Sequence, residues 1–460
     1  MPDIFRVLLL THFFICIAFF SASSQNVAFI PSAEDDAFLK TLSAKYEDHY
    51  KNELASLPKE NKKDFEEVYK LRWNNVKDVF DKKEIYTAAT AQLYLDSLVA
   101  EIVKGNPLLQ QLHFNCYFSR SGVPNASYIG EGIILFNMGL FNKLINESQA
   151  AFVLCHEISH FYLKHSENSI RRYVEAINSE DIQNELHKIK NTEYGKRKRV
   201  DDLLKTLTFD FRRHGRDHES QADSMAVEFM SHTRFDVSES LATLALLDSV
   251  DLENLHVDTC LQKTFDSKEY PFQKKWLKKD EGLLGGHGKI KDDDALTDSL
   301  KTHPDCKLRI QVLEPLVNKY YSGARLKNVI NKLKFETLKN TFSYEVIEFS
   351  YSSGNYTRSL YYSLDLLQHK PNDPYIITQV GKIFNGFYTA QKTHTLGKLI
   401  DLPSPYYQPN YDLLLQFVQN LYLEDYSAIS YQFLKQYSTQ LTYYSPFTKA
   451  FNTSKQIFQQ

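Results

Sequence analysis

Glycine is scarce, with 16 in 460 residues, about half its usual share. That shortage argues against a turn-rich all-β chain and favours helices. An excess of one charge sign is also missing. Lys and Arg number 54, Asp and Glu 57, for a formal net charge of −3. With no domain-wide basic excess, an electrostatic nucleic-acid binder is not expected. Cysteine is rare too: beyond position 24 only Cys116, Cys155, Cys260 and Cys306 remain. Four thiols are too few to form the scaffold of a chain this long, and no CxxC occurs. Cys260 and Cys306 are a pair that could join around a flexible stretch, and Cys155 reads as a small buried residue. The cluster from Gly282 to Gly288 reads as a mobile loop. Its spacing fails for a phosphate loop, and Ile290 stands where Ser or Thr is needed. Long apolar runs are limited to one, Val7 to Phe20, interrupted only by Thr11 and His12. It follows Arg6 and ends in Ser21-Ala22-Ser23-Ser24, the pattern of a secretory signal cleaved after Ser24. The run is short for a spanning helix, which needs about 20 residues. No later segment is a candidate membrane span. A periplasmic or secreted mature chain is therefore expected.

What is present is ample core material. Hydrophobic residues make up 43%, with 31 Phe and 29 Tyr. The length suits about two or three domains. Residues 34–112 carry apolar positions at helical spacing and read as a helical packing layer. A strand-like segment follows at His113–Phe118, then a second extended run, Tyr128–Phe136, broken by Gly130 and Gly132. Together they suggest a small sheet. A strong helix comes next, running from Gln149 to Leu163. Asn146 can cap it, with Gln149 three residues on, close to a capping box. Few charges interrupt it, so it is expected to be buried on most sides. Residues 166–216 are highly charged and read as an inserted helical excursion with a solvated face, or as a basic rim over a cleft or against a membrane surface. From about 340 the charge thins and Tyr, Leu and Ser rise. The fold class expected is α+β, mostly helical.

The chemistry lies in His156-Glu157-Ile158-Ser159-His160. On a helix, positions i and i+4 share a face one turn apart, so both imidazoles can reach a single ion. Glu157 is rotated by about 100° and stands beside the ion, where it can take a proton from water. A catalytic zinc needs a third protein ligand and an open position. A metzincin would supply Gly and His at positions that Leu163 and Ser166 hold here, which excludes that class. The remaining route is a glutamate on a later helix. The best candidate is Glu219, in Asp217-His218-Glu219-Ser220-Gln221-Ala222-Asp223. Asp223, one turn on, can accept a hydrogen bond from the far nitrogen of a ligating histidine.

These motifs resemble the zinc metallopeptidase family of the CAAX prenyl endopeptidases, HtpX and the BepA-type periplasmic proteases, peptidase family M48. The resemblance covers roughly residues 85–315. Its carriers are Asn125-Ala126-Ser127, Gly132-Ile133-Ile134 with Gly139-Leu140, and the active helix with His165. Glu219-Ser220-Gln221-Ala222-Asp223 and Thr302-His303-Pro304 with Arg309-Ile310 complete the set. The resemblance implies a zincin-like protease domain with one Zn2+ bound by His156, His160 and Glu219, and Glu157 as general base. It also implies that strand 128–136 offers its edge to unfolded or extended peptides. His303 would be a transition-state stabiliser or a fourth ligand, or else a local helix-start residue. Arg309 would be a structural ion-pair partner, and His165 a surface residue at a helix end, favoured there by the dipole. Having no spanning helices, the chain should resemble the soluble branch.

Gly354-Asn355-Tyr356 through Leu367, then Pro371, Gly381 and Phe384, fall near tetratricopeptide positions, with a weaker echo at Glu424–Ile429. BepA-type proteases carry such repeats. The expected organisation is a signal at 1–24, a metallopeptidase domain at 25–320 with the insert at 166–216, and a helical tetratricopeptide-like domain at 321–460. The repeat domain would capture an envelope protein partner. Two functions stay open on sequence: a metalloendopeptidase in envelope protein quality control, or a chaperone or assembly factor acting by binding. A scaffold with structural zinc is disfavoured by the retained Glu157.

Overall fold

The computed structural model describes residues 28–191, 215–250, 255–278 and 306–460, apart from positions 322, 324, 403, 405 and 406. Outside the described residues lie the segment 1–24, stretch 192–214 of the charged insert, the Gly282–Gly288 loop and His303. Helices α1 (Asp36–Ala55), α2 (Lys62–Asp81) and α3 (Ala89–Gly105) come first. Strands β1 (Asn115–Ser119), β2 (Ala126–Gly130) and β3 (Ile133–Asn137) follow, then α4 (Met138–Lys143) and α5 (Glu147–Tyr162). Next are α6 (His165–Ile177), α7 (Glu180–Asn191), α8 (described from 215 to 231), α9 (Glu239–Leu247), α10 (Val257–Phe265) and α11 (Cys306–Tyr320). The rest is helical: α12 (Lys332–Ser352), α13 (Tyr356–His369), α14 (Pro374–Lys392), α15 (Pro409–Gln419), α16 (Leu423–Lys435) and α17 (Ser445–Phe458). The result is a mostly helical α+β protein with one small sheet. Among the described residues, no helix is long and apolar enough to cross a membrane.

The sheet has the order β1-β3-β2, with β3 parallel to β1 and antiparallel to β2. The extended run read at 128–136 is thus two strands rather than one. The chain reverses at Gly130, Glu131 and Gly132, whose φ values are 106°, 55° and 74°. A Cβ on Gly130 would lie 2.8 Å from the Arg72 Nε, and one on Gly132 2.6 Å from the His113 carbonyl oxygen. Both the left-handed backbone and the close packing therefore require glycine. Alternation along the strands sends side chains to two faces. Tyr117, Ile133 and Leu135 pack with α1 and α2, while Cys116, Phe118, Ile134 and Phe136 pack with α3 and α5. Helices on both sides explain why β3 reads as a continuous apolar run.

Helix α5 begins as its sequence indicates. The Asn146 side chain accepts the Gln149 N–H at 3.0 Å, and the Gln149 side-chain oxygen accepts the Ile145 N–H at 2.9 Å. A further constraint comes from far along the chain. Glu147, fully buried, accepts three successive backbone N–H groups, from Val329 (2.6 Å), Ile330 (2.7 Å) and Asn331 (2.7 Å), and the Tyr94 hydroxyl at 2.8 Å. A carboxylate in the first turn of a helix also faces the positive end of its dipole.

Two large cores result, and their membership crosses position 320. The first surrounds α5 and includes Phe335, Leu338, Phe342 and Val346 of α12. The second lies among the C-terminal helices and takes in Val257, Cys260, Leu261 and Phe265 of α10 together with Trp276. Cys260 and Cys306 are consequently buried in different cores and form no disulfide. In the second core, a Cβ on Gly381 of α14 would come within 2.6 Å of Leu434 of α16, so this glycine sets how closely the two helices approach.

Phe342 joins α12 to the first core. It is fully buried, its ring centroid 4.7 Å from Phe118, 5.4 Å from Phe141 and 5.6 Å from Tyr86. Phe342→Ala should therefore lower unfolding stability by about 3–5 kcal/mol, measured by denaturant titration. A loss under about 1 kcal/mol would show that α12 does not complete that core.

Candidate metal centre

Helix α5 places His156 and His160 one turn apart on its least buried face, with 12% and 17% of their side-chain surfaces exposed. Their Nε2 atoms are 3.1 Å apart. Glu219, from α8, completes a triangle. Its Oε2 is 3.5 Å from the His156 Nε2 and its Oε1 3.4 Å from the His160 Nε2. Tetrahedral zinc with bonds of about 2.0–2.1 Å separates neighbouring donors by about 3.3–3.4 Å. The three observed spacings bracket that figure, and the two-nitrogen, one-carboxylate donor set suits zinc. Among the described residues, this is the group of His, Cys, Asp and Glu side chains able to hold a metal ion.

A layer of charge lies behind the triangle. The Asp223 Oδ1 is 3.0 Å from the His156 Nδ1. Arg309, buried on α11, grips Asp223 with two bonds, Nε to Oδ2 at 2.7 Å and Nη2 to Oδ1 at 2.8 Å. Its Nη1 is 3.2 Å from the Glu219 Oε2. Burial alone would raise both acids, but Arg309 and His156 hold Asp223 below the usual range, and His156 and His160, with Arg309, hold Glu219 well below it. Burial pulls the His156 pKa down, and Asp223 and Glu219 more than reverse that, lifting it to about 10. The two carboxylates thus favour positive charge at the imidazole. A divalent ion satisfies the same demand for positive charge.

Glu157 lies beside the triangle but outside the donor set, close enough to feel His156, His160 and Glu219. It is 8% exposed, and its Oε2 accepts the backbone N–H of Tyr128, on the edge strand β2, at 2.8 Å. Burial raises its pKa, against the lowering pull of His156 and His160.

His165 is not the surface residue expected at a helix end. It is 4% exposed. Lys164 is left-handed (φ 55°, ψ 40°), so α5 stops before it and His165 opens α6. That turn folds the ring back beneath the metal face. Its Nδ1 lies 3.0 Å from the His160 Nδ1 and its Nε2 3.2 Å from the Gln221 Oε1. The ring also stacks on His218, with centroids 4.2 Å apart. Burial, with His160 and His218 adding to it, lowers the His165 pKa to about 4. Arg309 forms the ion pair the sequence suggested, and its contact with Glu219 is additional. The Tyr128 amide and Gln221 were not singled out. Gln221, two residues after Glu219, was the more legible, because it lies inside the quoted motif.

The geometry agrees with what comparison finds. The family model of peptidase family M48 matches residues 89–317, the stretch that runs from α3 through α11 and contains every residue just described. The chain belongs to that family, and so to the zinc-dependent metallopeptidases. No curated protein matches the chain.

Replacing Asp223 by Asn keeps its shape and removes its charge. This change should weaken zinc affinity by about 10- to 100-fold, measured by competition with a chromogenic chelator. Unchanged affinity would mean that the carboxylate behind His156 does not support metal binding.

Proposed function

We propose that this chain is a zinc-dependent endopeptidase in which His156, His160 and Glu219 hold the metal and Glu157 is the general base. The observation that carries the reading is the donor triangle with a buried carboxylate beside it, on the same helix but outside the donor set. Zinc held there supplies a Lewis acid that polarises a carbonyl and makes water acidic enough to lose a proton near neutral pH. The chain's own groups do the rest. The Tyr128 amide fixes the Glu157 Oε2, which leaves Oε1 to take the proton from attacking water and pass it to the departing amine. The burial that raises the Glu157 pKa moves it toward the range useful for that transfer.

Peptide in extended form is the substrate class this reading favours, because β2 is an edge strand of the sheet and, unlike the other edge strand β1, is held to Glu157 through the Tyr128 amide. Strand addition along β2 would present a carbonyl toward the metal. A periplasmic or secreted location and a role in envelope protein quality control are part of the proposal. The first draws on the Val7–Phe20 run. The second draws on the C-terminal helices, read as a tetratricopeptide-like surface for an envelope partner.

The test uses the full chain as wild type, Glu157→Gln and Glu219→Ala. Zinc is measured by mass spectrometry, and activity on an unfolded protein substrate. Wild type and Glu157→Gln should each bind about one zinc, and Glu157→Gln should lose about 10²- to 10⁴-fold in cleavage. Equal cutting would refute the base assignment. Glu219→Ala should lose stoichiometric zinc, and full retention would show that the third ligand lies elsewhere.

A further inference from the structure

The histidine behind His160 has a chemical consequence of its own, which rests on the metallopeptidase reading. An imidazole that gives Nε2 to a metal must carry its proton on Nδ1. For His160, that Nδ1–H faces the His165 Nδ1 at 3.0 Å. The His165 Nδ1 must then be the acceptor, which moves the His165 proton to its Nε2. The His165 Nε2 in turn faces a side-chain carbonyl oxygen, the Gln221 Oε1, at 3.2 Å. Each step pairs one donor with one acceptor. The opposite tautomer of His165 would set two N–H groups against each other at one end and leave two acceptors facing each other at the other.

We infer that His165 is a positioning residue for His160. Its Nδ1 accepts the Nδ1–H of His160, which fixes the tautomer that offers Nε2 to the metal, and its own Nε2–H donates to Gln221. The two ligating imidazoles are thus oriented by different chemistry, a carboxylate behind His156 and a neutral imidazole behind His160. The neutral partner is well placed. The site already gathers Glu219 and Asp223 around a single guanidinium with Glu157 close by, and a fourth carboxylate would add another buried charge. The left-handed turn at Lys164 makes this possible, because it falls two residues after Tyr162, the last residue of α5, and returns the next side chain beneath that helix's last turn. The stack on His218 holds the ring plane.

The rival role for His165 is simply to fill space between α5, α6 and α8. Two substitutions separate the roles, because each keeps one end of the ring. The Oδ1 of asparagine stands about where the imidazole Nδ1 is, and the side-chain end of glutamine about where Nε2 is. The full chain is prepared as wild type, His165→Asn, His165→Gln and His165→Ala. Zinc affinity is read by chelator competition, the cobalt(II) absorption spectrum reports ligand geometry, and the melting temperature of the metal-free protein reports the fold.

His165→Asn should keep zinc affinity within about threefold of wild type, while His165→Gln and His165→Ala should weaken it by about 10- to 100-fold and shift the cobalt spectrum. If Asn loses as much as Gln and Ala, or if all three match wild type, the inference is overturned. Should the buried substitutions fail to fold, Gln221→Met tests the outer link from an exposed position. It should weaken zinc in the same direction, and wild-type affinity there overturns the relay. A wild-type chain that takes up no zinc overturns the metallopeptidase reading and this inference together. Zinc-loaded wild type with indistinguishable variants overturns this inference alone.

Discussion

A single guanidinium organises the candidate site. Arg309 comes from α11 and grips Asp223 in a two-bond fork while its third nitrogen reaches Glu219. Two carboxylates on neighbouring turns of α8 would repel each other inside a protein. Here a charge from a third helix holds them side by side. The cost of leaving any of these groups unpaired is large, so α8 and α11 are fixed against α5 by the same contacts that shape the metal face. The triangle of donors is therefore a product of three-helix packing, although only two of its members are neighbours in sequence.

What could be read from sequence was what helical periodicity determines. The spacing of His156 and His160 fixes their shared face before any tertiary structure is known. The Asn146 cap and the helical C-terminal half follow from local chemistry of the same kind. The placement of Glu219 needed the additional argument that zinc wants a third ligand, and the fold brings it beside the two imidazoles.

Other features depended on where the chain bends. Lys164 adopts a left-handed conformation that no periodic pattern announces, and this one residue moves His165 from an expected surface position to the interior. The reversal at Gly130-Glu131-Gly132 was visible as two glycines but not as a complete hairpin. The partition of the cores was illegible for a similar reason. The amphipathic patterns of α10 and α12 say that each buries a face, and only the folded chain shows which core receives it.

Glu147 carries a mechanical implication. Its carboxylate holds three consecutive amides of the segment entering α12, the helix that belongs to both cores. The same residue opens α5, about two and a half turns before His156. The short non-helical lead into α12 is thus clamped at three successive amides, and a displacement of the C-terminal helices would be felt at the first turn of the helix that carries both imidazoles.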